Sequence, residues 1–106
     1  MSPRAGEVWL ADLGLAAKPR PVVVVSRYDE DPPRVLAIYV SLTSEYRGSA
    51  YEVEMPELPF LHAEGVANVQ GIGSLPVKRL ERRLGVLPPQ VMDRIKKALR
   101  FVLDLD

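Results

Sequence analysis

The chain has 106 residues and a mass of 11.8 kDa, which suffices for one domain with one core. Its 14 Lys and Arg residues balance 14 Asp and Glu residues, and this zero net charge argues against a uniformly basic, nucleic-acid-coating surface. The sequence has no cysteine and one histidine, His62, which excludes disulfides, thiolate metal sites and a two-histidine acid–base pair. We therefore expect a single domain over residues 1–106 with no metal site and no cofactor.

Charge is balanced in total but not along the chain. The segment from Glu45 to Glu64 holds five acidic residues and one basic residue, whereas the segment from Lys78 to Arg100 holds eight basic residues and two acidic ones. Opposed patches of this kind can steer a polyanion or an acidic partner even when the total charge is zero. Solvated faces of strands and of a helix explain the same pattern, so both interpretations stay open.

The sequence contains no apolar run long enough to cross a bilayer, since runs such as that over residues 21–25 are far too short. The N-terminal residues include Arg4 and Glu7 and lack the apolar centre of a signal peptide. These features predict a soluble, cytoplasmic domain.

Short strands are predicted along most of the chain, because β-branched or alternating apolar residues recur between Gly- and Pro-rich turns. The run after Pro21 is continuously β-branched, which is typical of a strand buried on both faces. The predicted strands cover residues 7–13, 22–26, 35–42, 50–55, 65–70 and 84–87. A set of five to seven short strands at this spacing indicates a mainly β fold of the small-barrel type.

Helical patterns come late in the sequence. Ser74 is predicted to cap a turn over residues 77–80, with Pro76 in its first turn. A longer helix is predicted from the Pro88-Pro89 pair to about Leu103, because its apolar residues share one stripe. That stripe consists of Val91, Ile95, Ala98, Leu99 and Val102. A homodimer and a lone barrel can both bury such a stripe, so the periodicity leaves the oligomeric state open.

Several motifs occur in order at strand spacing. They are GEVWLADL at residues 6–13, RPVVVVS at 20–26, VSLTS at 40–44, GVANVQ at 65–70 and LGVL at 84–87. With the closing helix, this ordered set resembles the MazF/PemK (Kid) family of toxin endoribonucleases over essentially the whole chain. The resemblance implies an SH3-like barrel with a C-terminal helix that forms a homodimer. It also implies metal-independent cleavage of single-stranded RNA and neutralisation by an antitoxin whose disordered acidic tail covers the RNA groove.

The resemblance assigns catalysis to Arg20 and Thr43, which match the family's catalytic arginine and threonine. In metal-free cleavage the 2′-OH attacks its own phosphate, and the products carry a 2′,3′-cyclic phosphate and a 5′-OH. The guanidinium of Arg20 suits the phosphoryl oxygens of that transition state because it donates to two oxygens at once. The Thr43 hydroxyl can donate to the same phosphate. Without the resemblance, Arg20 reads as a surface arginine and Thr43 as a residue with high strand propensity.

Further residues are candidates for RNA contact or for the general base. Lys18, Ser44 and Gln70 are predicted to contact RNA, although a solvated loop position explains Lys18 equally well. Glu45 and His62 are alternative bases, and each is also compatible with a bystander role in a loop. Trp9 is expected to pack in the barrel or at its rim rather than to stack on a base.

The sequence departs from the family pattern in three places. The loop over residues 14–19 is short, Gln70-Gly71 stands where relatives carry an acidic residue and glutamine, and Ser41 replaces a frequent proline. These departures leave two other functions open: a catalytically silent RNA- or antitoxin-binding barrel, and a gyrase-poisoning toxin of the CcdB type. The chain ends Leu103-Asp104-Leu105-Asp106, without the aromatic-Gly-Ile tail of the CcdB type, which argues against the latter.

Overall fold

The computed structural model describes residues 2–14, 18–62 and 65–105. Six strands, one short 3₁₀ helix and one α-helix occur along this part of the chain. In chain order they are β1 (Glu7–Ala11), β2 (Arg20–Val24), β3 (Leu36–Thr43), β4 (Glu52–Glu54), β5 (Val66–Pro76), the 3₁₀ helix (Val77–Arg79), β6 (Leu80–Val86) and α1 (Pro89–Val102). No helix of these described segments is long and apolar enough to cross a membrane.

The strands form one antiparallel sheet in the order β4-β5-β3-β2-β1-β6. Within the described residues β4 and β6 are the two edges, so the sheet is barrel-like without being closed. The predicted mainly β fold with a C-terminal helix is confirmed, and six strands lie within the predicted range of five to seven. Although β4 and β6 form opposite edges of the sheet, the basic residues Arg94 and Lys97 of α1 lie beside Glu52 and Glu54 of β4.

Strand β2 lies near the middle of the sheet and contributes to a core on each face. Val22 and Val24 belong to one buried cluster and Val23 to the other, and all three side chains are 0% exposed. Successive side chains of a strand point to opposite faces, so a continuous valine run fits a strand that is covered on both sides. The prediction for this segment is confirmed.

Helix α1 begins after Pro88 and covers the cluster that contains Val23. Pro89 occupies the first turn, where its missing N–H costs no helical hydrogen bond. Val91, Ile95 and Ala98 are buried, and Leu99 and Val102 pack against the same cluster, as the stripe predicted. The stripe is thus buried within its own chain and does not form a free surface.

The turn predicted over residues 77–80 is present as the 3₁₀ helix, but the chain on either side of it differs from the prediction. Ser74 does not cap a helix: it lies in β5 opposite Ile38, and Pro76 pairs with Leu36. The 3₁₀ helix that follows has no side-chain cap, and the last strand begins at Leu80 rather than at residue 84. β5 pairs with β3, and β6 pairs with β1. These pairings explain why Ser74 lies in a strand and why the last strand begins early, because ladder hydrogen bonds outweigh local turn preferences.

Candidate active site

The pairing of β2 with β3 brings the two predicted catalytic residues together. Val22 lies opposite Ser41, and Val23 lies opposite Val40. Arg20 and Thr43 each lie two residues beyond the Val22–Ser41 pair, at the same end of the two neighbouring strands. Neighbouring strands lie about 4.7–4.9 Å apart, so side chains at this shared end can reach a common phosphate group.

Arg20 and Thr43 also share one face of the sheet. Side chains two residues apart on a strand point the same way, so Arg20 follows Val22, and Thr43 follows Ser41, onto that face. Arg20 is exposed and Thr43 is half-buried. Among the residues that the structure describes, no carboxylate lies within ion-pair distance of Arg20. Its guanidinium is therefore accessible to an anionic ligand.

The Thr43 hydroxyl is held by the backbone that follows β3. The Glu45 N–H donates to Thr43 Oγ1 at 3.2 Å. Since the oxygen accepts this bond, the hydroxyl hydrogen is left to donate elsewhere. The branched β-carbon further restricts the rotamer of the side chain. Thr43 is therefore arranged as a hydrogen-bond donor at the end of its strand.

A groove of about 430 Å³ lies beside Thr43. It is formed by the segment after β3, the start of β4 and the middle of β5, and Arg20 lies one strand away from it, on β2. The groove is lined by Thr43, Glu45, Arg47, Ser49, Tyr51, Glu52, Asn68 and Gln70. Most of these side chains are polar, which suits a hydrated, hydrogen-bonding ligand.

Two carboxylates of the groove are engaged by the chain itself. Glu45 Oε2 pairs with Arg47 Nη2 at 3.0 Å, and both side chains are largely exposed. Glu52 accepts hydrogen bonds from the backbone N–H groups of Arg47 and Ser49 and from the Ser49 hydroxyl. The Ser49 hydroxyl and N–H, followed by the Arg47 N–H, hold the pKa of the Glu52 carboxyl below its usual value.

A bulge in β5 shapes the other wall of the groove. Tyr39 pairs with Gly73 and Ser41 pairs with Asn68, so four residues of β5 lie opposite the single residue Val40 of β3. The Asn68 carboxamide oxygen accepts the Gln70 N–H at 3.1 Å and thereby supports the bulge. Gln70, predicted to contact RNA, therefore lines the groove with Thr43.

The other predicted contact residues are less closely associated with the groove. Ser44 and Lys18 are both exposed, and neither lines it. Residues 15–17 of the short loop after β1, one of the departures from the family pattern, lie outside the described residues. Lys18 and Arg20 lie at the N-terminal end of β2, next to this loop.

The two candidate bases lie in different places. Glu45 lines the groove with Thr43, whereas His62 lines a separate groove with Pro21, Arg82 and Leu84. Along β2, Pro21 points to the face opposite the Arg20 side chain. The structure therefore brings Glu45, but not His62, to the side of the sheet that carries Arg20 and Thr43.

Trp9 packs against the cluster that contains Val22, as predicted for a barrel residue. Its indole N–H donates to Glu7 Oε1 at 3.0 Å, and Arg83 Nη1 donates to Glu7 Oε2 at 3.3 Å. Burial alone raises the pKa of the Glu7 carboxyl, but hydrogen bonds from the Arg4 N–H, Trp9 and Arg83, with the Arg83 charge, lower it overall. Trp9 therefore serves the packing at this end of β1.

The prediction from sequence missed several residues of the groove wall: Arg47, Ser49, Tyr51, Glu52 and Asn68. Every second residue from Thr43 to Tyr51 lines the groove. In the sequence, this period of two in the polar residues was the signal that could have indicated an extended segment. The segment has no apolar alternation, so it reads as an ordinary loop.

Comparisons with known proteins identify the family of this chain. A family model described as PemK-like, MazF-like toxin of type II toxin–antitoxin system matches residues 4–103. The probable endoribonuclease MazF5 of Mycobacterium tuberculosis is 33% identical over 103 residues, which are 96% of this chain and 94% of the relative.

Solved structures of relatives share the fold over the full chain. An endoribonuclease in complex with its cognate antitoxin, from a mycobacterial species, has a TM-score of 0.86 at 29% identity and covers 98% of this chain and 97% of its own. A MazE–MazF complex from Deinococcus radiodurans has a TM-score of 0.82 at 26% identity and covers 100% and 99%. These matches confirm the predicted toxin endoribonuclease class. The chain belongs to the PemK-like, MazF-like family of toxins from type II toxin–antitoxin systems.

Proposed function

We propose that this chain, a single toxin domain over residues 1–106, cleaves single-stranded RNA without a metal ion and thereby inhibits translation. The observation that supports the proposal is the β2–β3 pairing, in which Arg20 and Thr43 lie at the same end of two neighbouring strands, with a polar groove beside Thr43. An accessible guanidinium next to a hydroxyl donor is a suitable pair for a phosphodiester, because both can bind phosphoryl oxygens.

In the proposed reaction the 2′-oxygen of one nucleotide attacks its own 3′-phosphate. The new 2′-O–P bond forms as the P–O5′ bond breaks, which leaves a 2′,3′-cyclic phosphate and a 5′-OH. Charge accumulates on the nonbridging phosphoryl oxygens in the transition state. Arg20 stabilises that charge with two parallel N–H donors, and the Thr43 hydroxyl adds a third donor.

Two protons must move in this reaction. The 2′-OH proton passes to a base, for which we propose Glu45, since its carboxylate lies in the groove with Thr43. Its ion pair with Arg47 is exposed and therefore weak, so it does not withhold the carboxylate from a bound ribose. The departing 5′-oxygen takes a proton from solvent. Arg20 acts through its charge.

We propose that Gln70 contacts a base and that Lys18 and Ser44 contact the RNA backbone. The side-chain amide of Gln70 offers both a donor and an acceptor in the groove, which suits a base edge. Unpaired, unstacked bases expose such edges, and this explains a preference for single-stranded RNA.

The proposed partners are an antitoxin and a second copy of the chain, in the cytoplasm. A solved relative of the same family binds its cognate antitoxin, and an acidic antitoxin tail would compete with RNA for Arg20. Large apolar side chains remain exposed at Leu36, Ile38 and Phe101, which is compatible with a homodimer. Elution of the purified protein as a monomer at micromolar concentration would contradict the dimer.

The experiment that tests the function incubates the purified protein with a long natural RNA in EDTA and maps all new 5′-OH ends by sequencing. We expect cuts at one short recurring sequence and cyclic phosphates on the upstream fragments. RNA that stays intact, while still binding the protein, would identify a silent RNA-binding barrel instead. Cleavage that needs an added divalent ion would contradict the proposed chemistry.

A further inference from the structure

One carboxylate closes the segment that forms the outer wall of the groove. Glu52 Oε2 accepts the Arg47 N–H at 3.0 Å, while Oε1 accepts the Ser49 N–H at 3.0 Å and the Ser49 hydroxyl at 2.7 Å. Glu52 itself belongs to β4 and lies opposite Asn68 of β5. Its side chain therefore joins an irregular segment to the sheet through three hydrogen bonds.

The same contacts continue as far as the proposed catalytic threonine. Arg47, whose N–H Glu52 binds, pairs through its side chain with Glu45 at 3.0 Å. The Glu45 N–H in turn donates to Thr43 Oγ1. A series of contacts, of which the exposed Arg47–Glu45 pair is the weakest, thus runs from Glu52 along the groove wall to Thr43.

The backbone turn that makes this closure possible depends on a glycine. Gly48 lies between the two residues whose N–H groups point at Glu52, and its φ is +70°. This left-handed conformation is free for glycine and costs other residues about 1–2 kcal/mol. A β-carbon at Gly48 would meet no atom within 4 Å, so a substitution acts there through the backbone alone.

We infer that Glu52 is a positioning residue that holds residues 45–51 as the RNA-binding wall of the groove. This inference rests on the proposed endoribonuclease function. Glu52 does not contact the reacting atoms in this account, because three of the roughly four acceptor positions of its carboxylate are taken by the protein. Its loss should weaken RNA binding more than it slows the chemical step, since Thr43 is also fixed by β3.

The test uses two variants that open the wall by different routes and one matched control. Glu52→Gln replaces one acceptor oxygen by an NH₂ group, which would face a backbone donor of residues 47 or 49. Gly48→Ala leaves the carboxylate in place and disturbs only the turn. Glu54→Gln removes a similar charge from the same face of β4, at an exposed position.

The measurements are KM and kcat for a short RNA that contains the mapped cleavage sequence, together with hydrogen exchange of the backbone amides. We expect Glu52→Gln and Gly48→Ala each to raise KM about five- to tenfold, as the loss of a hydrogen bond or so predicts, with kcat changed less than threefold. The amides of Arg47 and Ser49 should lose protection while those of Val23 and Val40 keep it. Glu54→Gln should match the parent protein.

The outcomes separate this inference from the proposed function. If the parent cuts RNA and both variants keep its KM, the positioning role is wrong and the function stands. If both variants lower kcat and KM stays constant, Glu52 acts on the chemical step and the inference is also wrong. If the parent cuts no RNA, the proposed function fails and the RNA-related inference fails with it, whatever the amide protection shows.

Discussion

The β2–β3 pair has two sections that differ sharply. Val22, Val23, Val24 and Val40 form a core section in which every side chain is 0% exposed. Arg20 and Thr43 form a site end, only two or three residues further along the same strands, where the guanidinium is exposed. Two of the most regular strands of the sheet therefore carry both the packing and the proposed chemistry.

This difference indicates how a small protein keeps reactive groups in place. Donors that stabilise a transition state must be fixed before the reaction, because reorienting them costs part of their benefit. A ladder anchored by buried valines fixes the backbone at the site end, whereas the groove wall depends on side-chain hydrogen bonds such as those of Glu52. Changes at the site end should alter activity, and changes near the core section should alter stability.

The largest effect is expected from Arg20→Ala, which removes the charged donor pair at the site end. Losing a fixed donor to a developing oxyanion costs about 10²–10³-fold in kcat, or ~3–4 kcal/mol. The melting temperature should not fall, since Arg20 is exposed. Arg27→Ala is the matched control, because Arg27 is also exposed but lies beyond the other end of β2. Equal single-turnover cleavage rates for Arg20→Ala and Arg27→Ala would contradict a special role of the site end in the reaction.

Thr43→Val should have the next largest effect. The substitution keeps the branched shape and removes the hydroxyl, so it loses one hydrogen bond to a charged group, about 1.5–3 kcal/mol or roughly 10- to 150-fold in kcat. Thr43→Ser keeps the hydroxyl and should retain most activity. A serine variant as slow as the valine variant would show that shape, not the donor, matters at this position.

Glu7→Gln should destabilise the protein without slowing cleavage. Glu7 is 8% exposed and begins β1, next to the core section, so the loss of its charge weakens the bonds to Trp9 and Arg83 by about 1–2 kcal/mol in total. Because the folded-state pKa is lowered, its stabilisation is complete above the unfolded pKa of about 4.3 and is lost as pH falls through the folded value. Urea unfolding of the parent protein and of Glu7→Gln at several pH values should show that the difference between their unfolding free energies decreases as the pH falls. A constant difference would contradict this role.

Ile95→Val should have the smallest effect of these four. Ile95 is 0% exposed and belongs to the same cluster as Val23 and Val40, so the loss of one methylene costs about 0.5–1.5 kcal/mol of unfolding free energy. The kcat of the folded protein should not change. Lys96→Ala, on the exposed side of α1, is the control for helix propensity. A loss of kcat in Ile95→Val would mean that the core section also sets the chemical geometry.

The regular parts of the fold were predictable because their patterns have a period. The valine run of β2 and the stripe of α1 each match one repeating geometry, and both lie where the sequence predicts. The assignment of Arg20 and Thr43 came from the family resemblance, and the two residues lie at the same end of two adjacent strands.

The groove wall was not predictable in the same way. The contacts of Glu52 with Arg47 and Ser49 depend on how an irregular segment turns at Gly48, and no periodic pattern encodes them. The length of β5 was also missed, because its bulge interrupts the alternation and the proline at its end suggested a helix start. Long-range pairing decided both features.

A double-mutant cycle of Arg20→Ala and Thr43→Val tests most directly whether the two side chains act on one phosphate. Single-turnover cleavage rates of the parent, both single variants and the double variant, with saturating protein in EDTA, give the coupling between the two positions. We predict that the double variant loses less than the product of the single losses, by a coupling of about 0.5–3 kcal/mol, since each donor supports the other at a shared ligand. Single losses that multiply, or an Arg20→Ala variant as fast as the parent, would contradict the shared phosphate site.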